Sequence, residues 1–276
     1  MATTLNIKLI TKRLVLVFIF TSIWCCNNEP VDFFGKTQKD EPIKLLKKIT
    51  LPDGKSIIFT YNPNGTLKSY SYFLPNDNQS IFSTNITYEN GLPKFTQSFN
   101  QNNQLEFEEE YLYSNDKLVQ INGINYVPDI NLKNDPIIIK LDYINDQITK
   151  VNYDGAGVIY EETYSYDEKG NIQTSVRSWF SENNTLLASE QTDFTYDTKH
   201  SYSKSINPVV IHSKFADFKI ETNINNVSNS IKKHLNGGLS DIEIMANYIY
   251  NEDNYPIEKN EITPWGNRQY KYEYAD

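Results

Sequence analysis

Apolar and polar residues alternate along most of this chain, and the alternation breaks at short clusters rich in Asn, Asp and Gly. Ile57, Phe59 and Tyr61 share one side of a two-residue period, and so do Tyr70, Tyr72 and Leu74. Leu105, Phe107, Tyr111 and Tyr113 share a side with Glu109 among them, while Glu106, Glu108 and Glu110 take the other side. A period of two predicts strands with one buried and one wetted face. Pro52-Asp53-Gly54, Pro75-Asn76-Asp77-Asn78-Gln79, Asp154-Gly155-Ala156-Gly157 and Glu182-Asn183-Asn184 carry the residues that turns require.

One unit recurs. Its fullest copy is Tyr164-Ser165-Tyr166-Asp167-Glu168-Lys169-Gly170-Asn171-Ile172: an aromatic strand ends in Tyr, an Asx/Gly turn follows, and an aliphatic residue opens the next strand. Looser copies follow Tyr61, Tyr88, Tyr113, Tyr143, Tyr196 and Tyr250, and the spacings between successive motif tyrosines are 27, 25, 30, 23, 30 and 54. A fixed period of this size marks one supersecondary unit used many times. Each unit supplies two strands. The segment from Gly123 to Pro136, with Pro128 and Pro136, reads as an irregular loop or distorted edge. The doubled last spacing marks an insertion at about 205–241. Within it Val227, Ile231 and Leu235 lie four apart, with Asn225 or Asn226 as cap and Gly237-Gly238 as stop, which predicts one short helix.

The expected fold is all-β: an antiparallel up-and-down meander of about sixteen strands. An open sheet this wide curls or splits, and rolling it hides the aromatic face. A round barrel of about sixteen strands is too wide to fill with side chains. Three solutions stay open: a flattened barrel, a wet lumen, or a lumen plugged by the insertion. The charges on one strand face (Glu106, Glu108, Glu110, Glu161, Lys271 and Glu273) argue against a membrane-spanning barrel.

The first 26 residues stand apart. Lys8, Lys12 and Arg13 precede an apolar run from Leu14 to Trp24, which ends at Cys25-Cys26. That run is shorter than the ~20 residues of a membrane span. The stretch resembles a bacterial lipoprotein signal, which implies cleavage before a lipidated Cys26. Residues 27–44 read as a tether, with Phe33-Phe34 as its one apolar pair, and residues 45–276 as the hairpin domain. Both cysteines lie in the signal, so a mature chain beginning at an acylated Cys26 has no free thiol. Loss of 1–25 removes three basic and no acidic residues, taking the net charge from −9 to −12 (23 Lys+Arg against 35 Asp+Glu). A field of that sign disfavours nucleic acid and anionic headgroups as partners. The lipid is then the only expected link to the membrane.

The Tyr164–Ile172 unit resembles the YD repeat of RHS-type and teneurin-like proteins, which builds hairpins of a closed shell. A closer resemblance is to Bacteroidota lipoproteins with a domain of unknown function described as porin-like. It is carried by Leu46-Lys47-Lys48-Ile49-Thr50-Leu51-Pro52-Asp53-Gly54 and Tyr248-Ile249-Tyr250-Asn251-Glu252-Asp253-Asn254-Tyr255-Pro256-Ile257. It implies a barrel-like fold and an outer-membrane tether on the periplasmic or outer face, and assigns no activity.

Chemistry-bearing residues are few. His200, His212 and His234 show no metal-ligand spacing, so no metal or other cofactor is expected. No Gly-x-Ser-x-Gly elbow is present. Glu106–Glu110 and Glu161-Glu162 offer carboxylates for glycoside hydrolysis, but acidic strand residues are ordinarily a wetted face. The turn Asp167–Asn171 lacks a Ca²⁺ ligand series. Most tyrosines belong to sheet faces. The aromatics expected to be exposed near turns are Trp265, Trp179, Phe180 and Tyr255, with Trp265 in Pro264-Trp265-Gly266 the foremost. The reading is a non-enzymatic binding module for glycan, peptide or an envelope protein. A structural component of an envelope complex and a glycan-active hydrolase are the alternatives.

Overall fold

The computed structural model describes residues 44–127, 132–133, 136–155, 157–206, 223–236 and 240–275. The strands in chain order are β1 (Leu46–Thr50), β2 (Ser56–Tyr61), β3 (Leu67–Phe73), β4 (Ser80–Glu89), β5 (Leu92–Asn100) and β6 (Leu105–Ser114). Then come β7 (Lys117–Val127), β8 (Leu132–Lys133), β9 (Ile137–Ile144), β10 (Gln147–Gly155), β11 (Val158–Tyr166) and β12 (Ile172–Phe180). The chain finishes with β13 (Leu186–His200), β14 (Asn225–His234), β15 (Ile242–Tyr250), β16 (Pro256–Thr263) and β17 (Gly266–Tyr274). All but β8 form one antiparallel ring of sixteen strands in chain order. β1 pairs with both β2 and β17, which closes the ring. β8 only extends the end of β7 within the irregular segment. Closure pairs each of the sixteen ring strands on both sides, which leaves the ring itself no edge to recruit another strand.

The turns explain the Asx and Gly of the repeat. Asn90-Gly91, Asn115-Asp116 and Asn145-Asp146 each hold two successive residues at positive φ, which a two-residue hairpin demands. The other common turn spans five residues. In Asp167–Asn171 the Asp167 N–H donates to the Asn171 carbonyl (2.8 Å), and the Gly170 N–H donates to the Asp167 carbonyl (3.0 Å). Gly170 sits at φ 90°, where an L side chain is strained. The Asp167 carboxylate accepts from the N–H groups of Lys169 and Asn171 at 2.9 and 2.8 Å. Asn100 and Asn251 close their turns in the same way. The Asp of the motif is therefore a turn closer, held below the usual carboxylate range by these hydrogen bonds against the opposing effect of burial.

The motif Tyr has a separate task. At this end of the ring each strand pair that lacks a turn would splay. Tyr88 on β4 donates its hydroxyl to the Leu67 carbonyl on β3 at 2.6 Å. Tyr61 reaches Leu46, Tyr143 reaches Leu118, Tyr166 reaches Ile148, Tyr196 reaches Ile172 and Tyr274 reaches Pro256, all within 2.6–2.8 Å. Tyr248 supplies the bond to Val227 at 2.9 Å, which leaves Tyr250 to bond to the Asp197 carboxylate. Seven phenol-to-carbonyl bonds thus form a girdle that joins hairpins at this end, with the β5–β6 junction the exception. Burial pushes the Tyr143 and Tyr166 hydroxyls up to about 12.

The insertion departs from expectation. Asn225–His234 is strand β14, not a helix, paired with β13 on one side and β15 on the other. Val227 lies opposite Tyr196 and is buried, whereas Ile231 lies opposite Asp193 across a bulge. The i, i+4 spacing is thus incidental, and ring closure overrides a weak helical pattern rich in Ser and Asn. The short helical element lies earlier, as a 3-10 turn over Tyr202–Ser205. Tyr202 stacks on Tyr272 at 4.9 Å, Tyr61 donates to the Ser205 carbonyl at 3.1 Å, and Ile206 is buried. This turn packs inside the motif end of the ring. Of the expected 205–241 insertion, residues 207–222 and 237–239, with the expected stop Gly237-Gly238, lie outside the described residues, as do the signal, Cys26 and most of the tether.

Candidate functional site

The inward face can be traced around the ring by register. Ile57, Phe59, Tyr70, Phe107, Tyr111, Ile121, Ile137, Ile139 and Leu141 point inward from β2–β9 and are all buried. Leu141 lies opposite Val151, Val151 opposite Glu162, Glu162 opposite Arg177, Arg177 opposite Glu190, and Glu190 opposite His234. Residues directly opposite share a face. The apolar interior therefore changes to a charged one across β10–β14.

Arg177 is the centre of this arc. Its Nε and Nη2 donate to Glu162 Oε2 at 3.0 and 2.6 Å. The Glu162 side chain is 5 % exposed and that of Arg177 34 %, so the guanidinium covers the carboxylate on its lumen side. The guanidinium carbon lies 5.0 Å from the Tyr160 ring and 5.9 Å from the Trp179 ring. Tyr160 in turn stacks on Tyr153 at 4.7 Å with planes 5° apart. Tyr153, Tyr160, Arg177 and Trp179 thus form a ladder across three strands, held by stacking and cation–π attraction. On the neighbouring strands Lys232 binds Glu190 at 2.7 Å, and His234 Nδ1 lies 3.7 Å from the same carboxylate. Farther round, Lys259 Nζ lies 2.6 Å from Glu261, between the rings of Tyr248 and Tyr270.

The sequence candidates are dispersed. Trp265 is 67 % exposed at the tip of the β16–β17 turn. Trp179 is half-buried on the inward face, in the ladder rather than on a turn. Phe180 is half-buried beside it. Tyr255 was expected to be exposed and is buried, stacked on His200 at 5.0 Å and tilted against Tyr274. Its backbone N–H donates to Asn251 Oδ1 at 2.9 Å, which closes the turn. Trp179 and Trp265 lie toward the end of the ring opposite the motif turns. His212 lies outside the described residues. Among the described residues no group of three or more His, Cys, Asp or Glu is arranged to hold a metal ion.

The carboxylates are already engaged. Glu109 is 3 % exposed and accepts from Thr96 at 2.7 Å and Tyr111 at 3.1 Å. Glu161 pairs with Lys150 on the outer face, opposite to Glu162. Glu108 accepts from Gln97, and Glu110 pairs with Lys94. Sequence reasoning missed Arg177, because a lone Arg in an alternating strand gives no sign of which ring lies beside it. The available signal was Tyr160, Glu162 and Tyr164 on one period beside Arg177 and Trp179 on another.

No family model matches the sequence, and no curated protein does. Solved structures match by shape. A porin-like protein from Bacteroides vulgatus aligns with a TM-score of 0.58 at 14 % identity, covering 84 % of this chain and 99 % of that one. A porin-like protein from Bacteroides uniformis aligns at 0.52 and 13 % identity, covering 85 % and 98 %. The chain therefore shares the closed all-β fold of these porin-like proteins.

Proposed function

We propose that this chain is an outer-membrane lipoprotein, anchored through Cys26, whose barrel binds glycan and carries out no reaction of its own. The observation that carries this reading is Trp265. A large ring 67 % exposed at a turn tip gives the fold little, and it suits stacking on a sugar face. Closure of the ring supports the reading too, since the ring strands are paired on both sides and a ligand is met by turns or lumen. The partnered state of Glu109 and Glu162 weighs against a hydrolase. The test is binding of the purified chain to a glycan array beside Trp265→Ala. Saturable binding that is weakened in the variant supports the reading, and absence of binding of the parent chain to any glycan sinks it. Cys26→Ser, followed by incorporation of a labelled fatty acid, tests the anchor; label retained in that variant rejects Cys26.

A second reading rests on the outer wall. Met245 and Ile262 face each other across β15 and β16 and are each 43 % exposed, and Ile249 is 51 % exposed. Exposed apolar side chains of this kind suit a protein partner in an envelope complex. In-envelope crosslinking from position 245 tests it, and a chain that crosslinks to nothing there removes it.

A further inference from the structure

The ladder on the lumen wall ends abruptly. Tyr153, Tyr160, Arg177 and Trp179 succeed one another across β10, β11 and β12, and the position opposite Trp179 on β13 is Ala188. Alanine reaches no farther than Cβ and is exposed here, so among the described residues β13 supplies no rung beside the indole. Two residues along the same face of β13 stands Glu190, with Lys232 and His234 beside it. Arg177 Nη1 makes no hydrogen bond to the described residues, and the Arg177 and Lys232 side chains are 34 % and 42 % exposed, so water enters this part of the lumen.

We infer that the gap over Ala188 is a binding slot for one ring of a neutral saccharide, seated as the fifth rung on Trp179. A pyranose offers an apolar C–H face to the indole and hydroxyls at its rim. Glu190, His234, Lys232 and the free Arg177 amino group supply acceptors and donors on that rim. Charge excludes an anionic ligand as the preferred occupant. Glu162 offsets Arg177 and Glu190 offsets Lys232, so the wall has no surplus cation to exchange for a carboxylate or phosphate. This slot rests on the reading of the barrel as a glycan-binding module, and is separate from the Trp265 rim.

The experiment uses tryptophan emission. The ring is complete between Leu46 and Tyr274, so residues 40–276 form a self-contained unit whose two Trp are Trp179 and Trp265. In this unit carrying Trp265→Phe, Trp179 is the sole reporter. Titration with maltohexaose, mannohexaose and xylohexaose is expected to give a saturable emission shift with at least one. Ala188→Tyr fills the missing rung and is expected to abolish the shift while the thermal transition is kept. If that variant does not fold, calorimetry on Trp179→Leu replaces it, with loss of binding expected. Calorimetric binding of a hexasaccharide that leaves Trp179 emission unchanged, or that persists in Ala188→Tyr, overturns the slot and keeps the module. Tighter binding of tri-galacturonate than of every neutral sugar overturns the neutral assignment. Absence of calorimetric binding of any of these sugars in the same unit with Trp265 intact overturns both readings.

Discussion

The β1–β10 arc turns Leu46, Ile57, Phe59, Leu67, Phe107, Tyr111, Leu118 and Ile121 inward, each 3 % exposed or less. The β11–β16 arc turns Glu162, Arg177, Glu190, Lys232, Lys259 and Glu261 inward, with side-chain exposures from 5 % at Glu162 to 42 % at Lys232. The two arcs share strand pairing, turn chemistry and tyrosine stitching. They differ in what can be packed without water. Aliphatic and aromatic side chains gain by excluding solvent, at about 25 cal/mol per Å². Charged pairs lose hydration on burial and recover it only through their partner. One arc therefore packs dry, and the other meets solvent at Arg177 and Lys232 while its carboxylates stay mostly covered. A sixteen-strand ring need not be packed in the same way throughout, and the proposed slot lies in the charged arc.

Substitutions break this comparison in graded ways. Phe107→Ala empties the dry arc at a residue 1 % exposed. It is expected to lower stability by about 3–5 kcal/mol in denaturant unfolding. A loss near that of an exposed site would mean the two arcs are packed alike. Arg177→Met uncovers Glu162, with an expected loss of about 2–4 kcal/mol, less than for a fully buried pair because the guanidinium meets solvent. Adding Glu162→Gln should restore most of it, and a double variant as unstable as the single one contradicts the pairing. Gly155→Ala tests how tightly β9 and β10 meet. Its Cβ would stand 2.7 Å from Ile137 Cγ1 and 2.8 Å from the Ile137 Cα, so backbone must shift. The expected cost is about 1–3 kcal/mol, and a neutral result by thermal melting would show slack.

Tyr143→Phe removes one girdle bond at an expected cost of about 1 kcal/mol. The same girdle sets a pH limit. Tyr143 and Tyr166 ionise at 10.0 when free and near 12 when buried. Above pH 10 the unfolded chain sheds these protons and the folded chain holds them. Their contribution is fully present below pH 10 and is lost as pH rises toward 12. Ultraviolet titration of tyrosinate should show this late group, and full ionisation near pH 10 in the folded state would contradict it. Trp265→Ala is expected to change stability by less than about 0.5 kcal/mol while removing rim binding. A large loss of stability would make that ring structural.

Much of this was readable beforehand. The alternation around Phe107 placed Glu109 inside and Glu108 outside, as found. The Asx and Gly of the repeat marked the turns because positive φ has few takers. Two further features were not readable. Val227 and Ile231 mimicked a helix because four-residue spacing also arises by chance across a bulge. Tyr255 was taken for an exposed aromatic because local sequence shows a turn and not the His200 ring across it.

By itself, then, the sequence determined most of the strands, with β14 the exception, the turns and the need to roll, because each depends on residues within a few positions of one another. Tertiary structure alone decided that β1 meets β17, that the motif tyrosines stitch neighbouring hairpins, and that Ala188 stands beside Trp179. These depend on register between strands. Register is settled only when the whole ring closes, since a one-residue slip would turn every inward side chain outward.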